Sequence, residues 1–332
     1  MLSKQIHSRC SALLLVLLFA ASVFVGCNTK KFPDRPTVAL VVKTLNNPFF
    51  NDMEEGARQV ADSLRLNLLV QAAEREVDVE KQVQIVENLI QRRVDVILLT
   101  PSGSSEVVPV ILKANQAGIP IINLDTKVDK ELLKKDGGHI ASYIGSDNYE
   151  GGRMAGEYIA KQLGGEGKVA ILEGIPGHET ADSRQSGFRE GISGSPGVEI
   201  VTSQPANWER NMGYTVFQNI LQSHSDVQAL FAANDLMALG AVEAIAASPR
   251  EFSEIIVVGF DAHDEAILAI REDQMDATIA QKPDKIGSIG VEYANRLLNG
   301  ESVPEEYSVE IELITKEDVG DADTPNTTTA GG

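Results

Sequence analysis

From Thr37 onward, short apolar runs alternate with amphipathic stretches almost without a break. The run Val38-Ala39-Leu40-Val41-Val42 is apolar at every position, which suits a parallel strand covered on both faces. Further strand-like runs lie at residues 68–70, 94–99, 119–124 and 143–144, then at 169–172, 198–201, 229–231, 255–258, 277–280 and 307–313. Helix-period segments such as 79–92 and 212–221 fill the gaps. This alternation predicts an α/β chain of doubly wound parallel sheets, arranged as two similar halves. No short-period repeat of the solenoid kind is present.

The joints carry recognisable punctuation. Asn47-Pro48 opens a helix directly after the first strand, with Asn as N-cap and Pro at the first helical position. Ser146-Asp147-Asn148 caps the helix that begins the second half. Residues 126–139, rich in Lys and Asp, read as an exposed loop insertion. Residues 317–332 are polar and end in Thr327-Thr328-Thr329-Ala330-Gly331-Gly332, which predicts a disordered tail.

The N-terminus belongs to targeting rather than to the fold. Lys4, His7 and Arg9 precede an apolar run over residues 12–25 that is short for a spanning helix. The run closes on Phe24-Val25-Gly26-Cys27, which resembles a bacterial lipoprotein cleavage box. Residues 1–26 are therefore expected to be a lipoprotein signal peptide, with Cys27 lipidated and residues 27–36 a tether. Cys10 falls in the removed part, so the mature chain has one cysteine and no internal disulfide. The expected location is the periplasm or cell surface, held to a membrane by lipid without spanning it.

The 332 residues suffice for two ordinary domains. A formal net charge of −19 disfavours nucleic acid or an anionic membrane surface as ligand. The five histidines show no metal-ligand spacing, and no P-loop, no GxGxxG after a strand and no GxSxG elbow occurs. No metal or cofactor is called for, and nothing in the sequence demands catalysis.

Ligands of open α/β sheets bind at the carboxyl ends of strands, and those ends carry a regular set of polar and aromatic residues here. Asn47, Phe49 and Phe50 follow the first strand, and Asp125 ends a later one. Trp208 follows residues 203–206, while Asn234, Phe260-Asp261 and Gln281 end successive strands. Flat rings beside amides and carboxylates suit a small hydroxylated ligand. Taken singly, each also reads as a helix cap or a packing residue.

Long ordered motifs carry a resemblance: Ala39-Leu-Val-Val, Thr44-Leu-Asn-Asn-Pro-Phe-Phe50, Ser146-Asp-Asn148, Leu172-Glu-Gly-Ile175, Ser203-Gln-Pro-Ala206, Asp226-Val-Gln-Ala229, Asn234-Asp235 with Met237-Ala-Leu-Gly240, Val257-Val-Gly-Phe-Asp261 and Thr278-Ile-Ala-Gln281-Lys-Pro-Asp284. On these, residues 36–315 resemble the type I periplasmic sugar-binding family, the ribose binders and their relatives. The resemblance implies two lobes joined by a three-crossing hinge that closes on a monosaccharide. The lobes would comprise residues 37–146 plus 282–310 and 147–281 plus 311–316. It also implies that Asn47, Phe49, Phe50 and Asp125 contact the sugar from the first lobe. Trp208, Asn234, Phe260, Asp261 and Gln281 would do so from the second lobe or the hinge. The four aromatic rings are expected to sandwich the sugar, and the amides and carboxylates to take its hydroxyls.

Two positions depart from the ribose binders. Thr126 stands where they carry an Arg, and Asp182 replaces another, while Arg184 matches a second family Arg and is expected to cover part of that loss. The ligand is therefore expected to be a pentose, hexose or polyol, with ribose itself in question. The implied partners are the permease and ATPase subunits of an ABC importer, with the protein a monomer; the alternative is a sugar sensor that signals through a chemoreceptor or sensor kinase. A repressor effector domain is disfavoured by the export signal and by the absence of an N-terminal helix-turn-helix.

Overall fold

The computed structural model describes residues 35–320. The expected signal peptide, the lipidation site Cys27, nearly all of the tether and the end of the tail lie outside the described residues. Among the described residues, no helix is long and apolar enough to cross a membrane.

The first half begins with β1 (Thr37–Thr44), α1 (Pro48–Ser63), β2 (Asn67–Ala73), α2 (Val79–Gln91), β3 (Val96–Leu99) and α3 (Val108–Gln116). It continues through β4 (Ile121–Leu124), α4 (Lys130–Lys135) and β5 (Ser142–Ser146). The second half contributes α5 (Asn148–Gln162), β6 (Glu166–Glu173), α6 (Glu179–Ile192), β7 (Gly197–Pro205), α7 (Arg210–Ser223) and β8 (Ala229–Ala232). After these come α8 (Asp235–Ala246), β9 (Ile256–Asp261), α9 (Asp264–Arg271), β10 (Ala277–Ala280), α10 (Pro283–Leu298), β11 (Glu306–Val309), β12 (Glu312–Thr315) and α11 (Lys316–Val319).

These strands form two six-stranded sheets with the orders β2-β1-β3-β4-β5-β11 and β7-β6-β8-β9-β10-β12. Every pairing is parallel except that of β12 with β10. The chain passes between the sheets at three places: from β5 into α5, from β10 into α10, and from β11 to β12. The result is two α/β lobes.

The alternation of side chains explains the all-apolar strands. Val38, Leu40 and Val42 of β1 join one core cluster with Phe49, Phe50 and Met53, while Ala39 and Val41 join another with α2 and α3 residues. Likewise Ala170 and Leu172 of β6 face one cluster, and Val169 and Ile171 face another. Each sheet is thus buried on both faces by helices.

The caps form as the sequence predicts. The Asn47 side chain accepts from the Phe49 amide, Asp147 from that of Glu150, and Asn234 from that of Met237. Helix pairs approach closely at glycines. A Cβ on Gly187 of α6 would collide with the Tyr149 carbonyl of α5, and one on Gly287 of α10 would strike the Met53 carbonyl of α1.

Three expectations need correction. The run 307–313 is not one strand: β11 joins the first sheet and β12 the second, so the third crossing cuts through it. Residues 126–139 are exposed only in their later part, about residues 130–139 with Leu133 buried; the segment's beginning is folded in. The Asn123 side chain donates to the Thr126 carbonyl (2.8 Å) and accepts from the Val128 amide (3.0 Å), folding the segment inward. Thr126, Val128 and Leu133 are buried as a result. Finally, residues 317–319 belong to a helical turn closed by a Thr315–Asp318 capping box and held by Arg271 Nε on the Val319 carbonyl (3.1 Å).

The α5–α6 contact gives a direct test. Gly187→Ala forces two backbones apart and is expected to lower stability by about 1–3 kcal/mol in urea unfolding, whereas Gly194→Ala, where a Cβ meets nothing, should leave the midpoint nearly unchanged.

Candidate binding site

The carboxyl ends of both sheets face one small, tightly lined cavity. Its lining comes from both lobes: Lys43, Asn47, Phe49, Phe50, Glu76 and Asp125 from the first, and Thr180, Arg184, Trp208, Asn234, Asp261 and Gln281 from the second and the hinge.

In the first lobe, Lys43 at the end of β1 is 2% exposed and reaches Asp125 Oδ2 at 3.3 Å and Glu76 Oε2 at 3.8 Å. Asn47 does two jobs: its Oδ1 caps α1, and its Nδ2 donates to Glu76 Oε1 at 2.9 Å. Phe49 and Phe50 meet edge to face, with centroids 5.2 Å apart. Asp125 adopts φ 59°, and the Tyr143 hydroxyl donates to its carbonyl at 2.6 Å.

In the second lobe, Arg184 is fixed on every side. Its Nε donates to Asn148 Oδ1 (2.8 Å) and its Nη1 to the Ala233 carbonyl (2.6 Å), and Nη1 lies 3.6 Å from Asp261 Oδ1. The guanidinium lies 3.6 Å from the centre of the Phe260 ring, a cation–π contact. Gln281 Nε2 donates to Asp261 Oδ1 at 2.7 Å. Trp208 sits on a loop in which Asn207 and Trp208 both have positive φ (53° and 67°), and its carbonyl accepts from Asn234 Nδ2 at 3.3 Å. The indole fits only because residue 174 is glycine, where a Cβ would collide with the ring. Trp208 Nε1 and Gln281 Oε1 are buried at this cavity without a hydrogen-bond partner.

Burial dominates the electrostatics. It pushes the Asp261 carboxyl up to about 7, against the opposing pull of Arg184. Glu76 is raised by burial, with Lys43 pulling the other way. Arg184 is lowered by burial and supported by Asp261. His178 and His263 are each pulled down to about 4 by burial, so both are neutral at pH 7.

Nine of the predicted site residues are brought together: Asn47, Phe49, Phe50, Asp125, Arg184, Trp208, Asn234, Asp261 and Gln281. Phe260 is not at the cavity wall; it is fully buried beneath the Arg184 guanidinium and supports that group from behind. Asp182 points elsewhere, into an outer interlobe cleft with Ser104, Lys127 and Asp129, because it lies on a different face of α6 from Arg184. Thr126 does not reach the ligand space either. Its hydroxyl bonds Asp125 Oδ2 (3.2 Å) and meets the Thr180 hydroxyl of the opposite lobe at 2.9 Å. Lys43, Glu76 and Thr180 were not anticipated. A lysine at the inner end of an otherwise apolar buried strand was the available signal for Lys43; Glu76 and Thr180 carry no comparable mark.

Known proteins share this fold and much of this sequence. Residues 38–302 match the periplasmic binding protein domain family. The chain belongs to that family. It is 40% identical to the ribose import binding protein of Escherichia coli K12, over 91% of this chain and 97% of that protein. It is 35% identical to the D-ribose/D-allose-binding protein of Pseudomonas aeruginosa PAO1, over 94% and 99%. A solved ABC transporter periplasmic solute-binding protein from Actinobacillus succinogenes, with bound D-allose, superposes on this binding protein with a TM-score of 0.82 at 38% identity, covering 86% of this chain and 99% of the other.

The buried groups give this binding protein opposing pH dependences. Asp261, raised from 3.8 to about 7, contributes stability that is full below 3.8 and lost as pH rises towards 7. His178 and His263, lowered from 6.5 to about 4, contribute stability that is full above 6.5 and lost as pH falls towards 4. Between pH 4.5 and 6.5, Asp261→Asn should therefore make the ligand-free urea midpoint rise with pH more steeply than in wild type. The double variant His178→Gln, His263→Gln should tilt it the other way.

Proposed function

We propose that this is an exported solute-binding protein that encloses one monosaccharide, a pentose, hexose or polyol, by hinge closure and hands it to the membrane permease of an ABC importer. The observation that carries this reading is the cavity itself. It is walled by aromatic faces and by charged groups from both lobes, and its lining includes an unpartnered indole N–H and an unpartnered amide oxygen. Buried polar groups are nearly always paired, so those two atoms mark places for a ligand's hydroxyls. Asp125 and Asp261 supply charge-assisted acceptors from opposite lobes. The ring faces of Phe49, Phe50 and Trp208 supply apolar cover for C–H edges. A ligand touching both lobes stabilises the closed arrangement by its differential affinity for it, which is what couples capture to closure.

The names of the relatives agree with a sugar: ribose for the Escherichia coli protein, ribose or allose for the Pseudomonas protein, allose for the Actinobacillus one. All are binding proteins, which supports a non-catalytic role here. The Phe24-Val25-Gly26-Cys27 box supports lipid attachment at Cys27 and, with it, a position at a membrane surface outside the cytoplasm.

A thermal-shift screen of pentoses, hexoses and polyols tests the ligand class. A sugar at a hundredfold excess over its Kd should add about 2.7 kcal/mol of stability; no response across the panel would remove the sugar reading. Trp208→Phe keeps the ring and removes its N–H, and should weaken the responding sugar about tenfold, as expected for one hydrogen bond of about 1–1.5 kcal/mol. For the anchor, the exported protein should enter the detergent phase of a Triton X-114 partition, and Cys27→Ala should move it to the aqueous phase.

A further inference from the structure

Glu76 is the member of the cavity wall that the fold does not explain. It sits on the loop between β2 and α2, its carboxylate is nearly buried, and burial disfavours its charge. Among the described residues its polar anchors are Lys43, 3.8 Å from Oε2, and Asn47 Nδ2, 2.9 Å from Oε1. Both anchors line the cavity themselves. Lys43 is equally specialised, a buried ammonium that serves Glu76 and Asp125 at once. A buried carboxylate with a buried cation is costly in a first lobe that could be closed with apolar residues, which points to a use at the site.

The position of Glu76 suggests that use. A second, larger cleft between the lobes opens beside the inner cavity, lined by Asn46, Arg75, Asn207, Arg210 and Leu236 among others. Asn47, Glu76 and Trp208 line both spaces and form the partition between them. Because Glu76 stands at this partition, a substituent that projects from a ring in the inner cavity towards the outer cleft would meet its carboxylate.

Resting on the sugar reading above, we infer that Glu76, held in place by Lys43 and Asn47, is a specificity-determining residue that accepts a hydrogen bond from the exocyclic hydroxymethyl group of a six-carbon sugar. A pentose with the same ring lacks that hydroxyl and leaves the buried carboxylate without a ligand partner, which is how a polar site rejects a truncated analogue.

Sugars that share ring configuration and differ only in this group provide the test: ribose against allose, xylose against glucose, L-arabinose against galactose, and lyxose against mannose. Dissociation constants are measured by calorimetry on the full mature chain and on Glu76→Gln. In the pair that binds, the hexose should be at least about tenfold tighter than its pentose. Glu76→Gln should weaken the hexose by about tenfold and the pentose by less than about threefold, so the ratio collapses. Glu76→Asp, which keeps the charge and shortens the reach, should reduce the ratio too, and it decides the matter if the glutamine variant does not fold. A pentose that binds as tightly as its hexose, or a variant that weakens both equally, would overturn the inference, leave the sugar site standing and make Glu76 a loop anchor. If no sugar in any pair binds, the sugar reading fails and takes this inference with it.

Discussion

Two buried ion pairs, one in each lobe, face the same small space. Lys43 lies against Asp125 in the first lobe, and Arg184 lies near Asp261 in the second. Neither pair is close enough to satisfy itself: the separations are 3.3 and 3.6 Å, and burial still pushes the Asp261 carboxyl up to about 7. Charges held this way are stabilised mainly by the hydrogen bonds that the surrounding residues supply. Much of the surrounding structure serves to keep them there and incompletely paired. Asn148, the Ala233 carbonyl and the Phe260 ring fix the guanidinium; Tyr143 holds the backbone of Asp125; Gln281 holds Asp261.

Holding them also takes backbone strain. Asp125, Trp208 and Asp261 all have positive φ, and none is a glycine. Such residues typically cost about 1–3 kcal/mol each and persist where the surroundings over-determine them. Asp125 and Asp261 lie at strand ends inside sheets covered on both faces, and Trp208 lies on the loop after β7 with its indole packed against Gly174. The close approach of α5 to α6 at Gly152 and Gly187 sets where Arg184 emerges.

Direct contacts between the lobes near the cavity include two neutral hydrogen bonds. The Thr126–Thr180 hydroxyl pair and the bond from the Glu179 amide to Ser104 Oγ are neutral and single, each worth on the order of 1 kcal/mol. On the proposed reading, such contacts would leave the balance of open and closed forms to a ligand that bridges Asp125 and Asp261. This arrangement suits capture and release better than permanent burial.

Periodicity and punctuation alone determined a good part of this protein. All-apolar runs such as residues 38–42 had to be strands covered on both faces, and Asn47-Pro48, Asp147 and Asn234 had to be helix starts, because those are local consequences of side-chain alternation and of unpaired amides. The positions of Asn47, Phe49, Asp125, Asp261 and Gln281 at strand ends were legible for the same reason, and nine predicted site residues do meet. Only the tertiary structure decided the rest. It put Phe260 behind Arg184, turned Asp182 outward, split residues 307–313 between two sheets and folded Thr126 into the lobe interface. It also brought Lys43 and Glu76, 33 positions apart in the chain, to one wall. Those outcomes depend on which strand neighbours which and on which face of a helix meets the other lobe. Such relations arise from packing between distant segments, and no local pattern of residues encodes them.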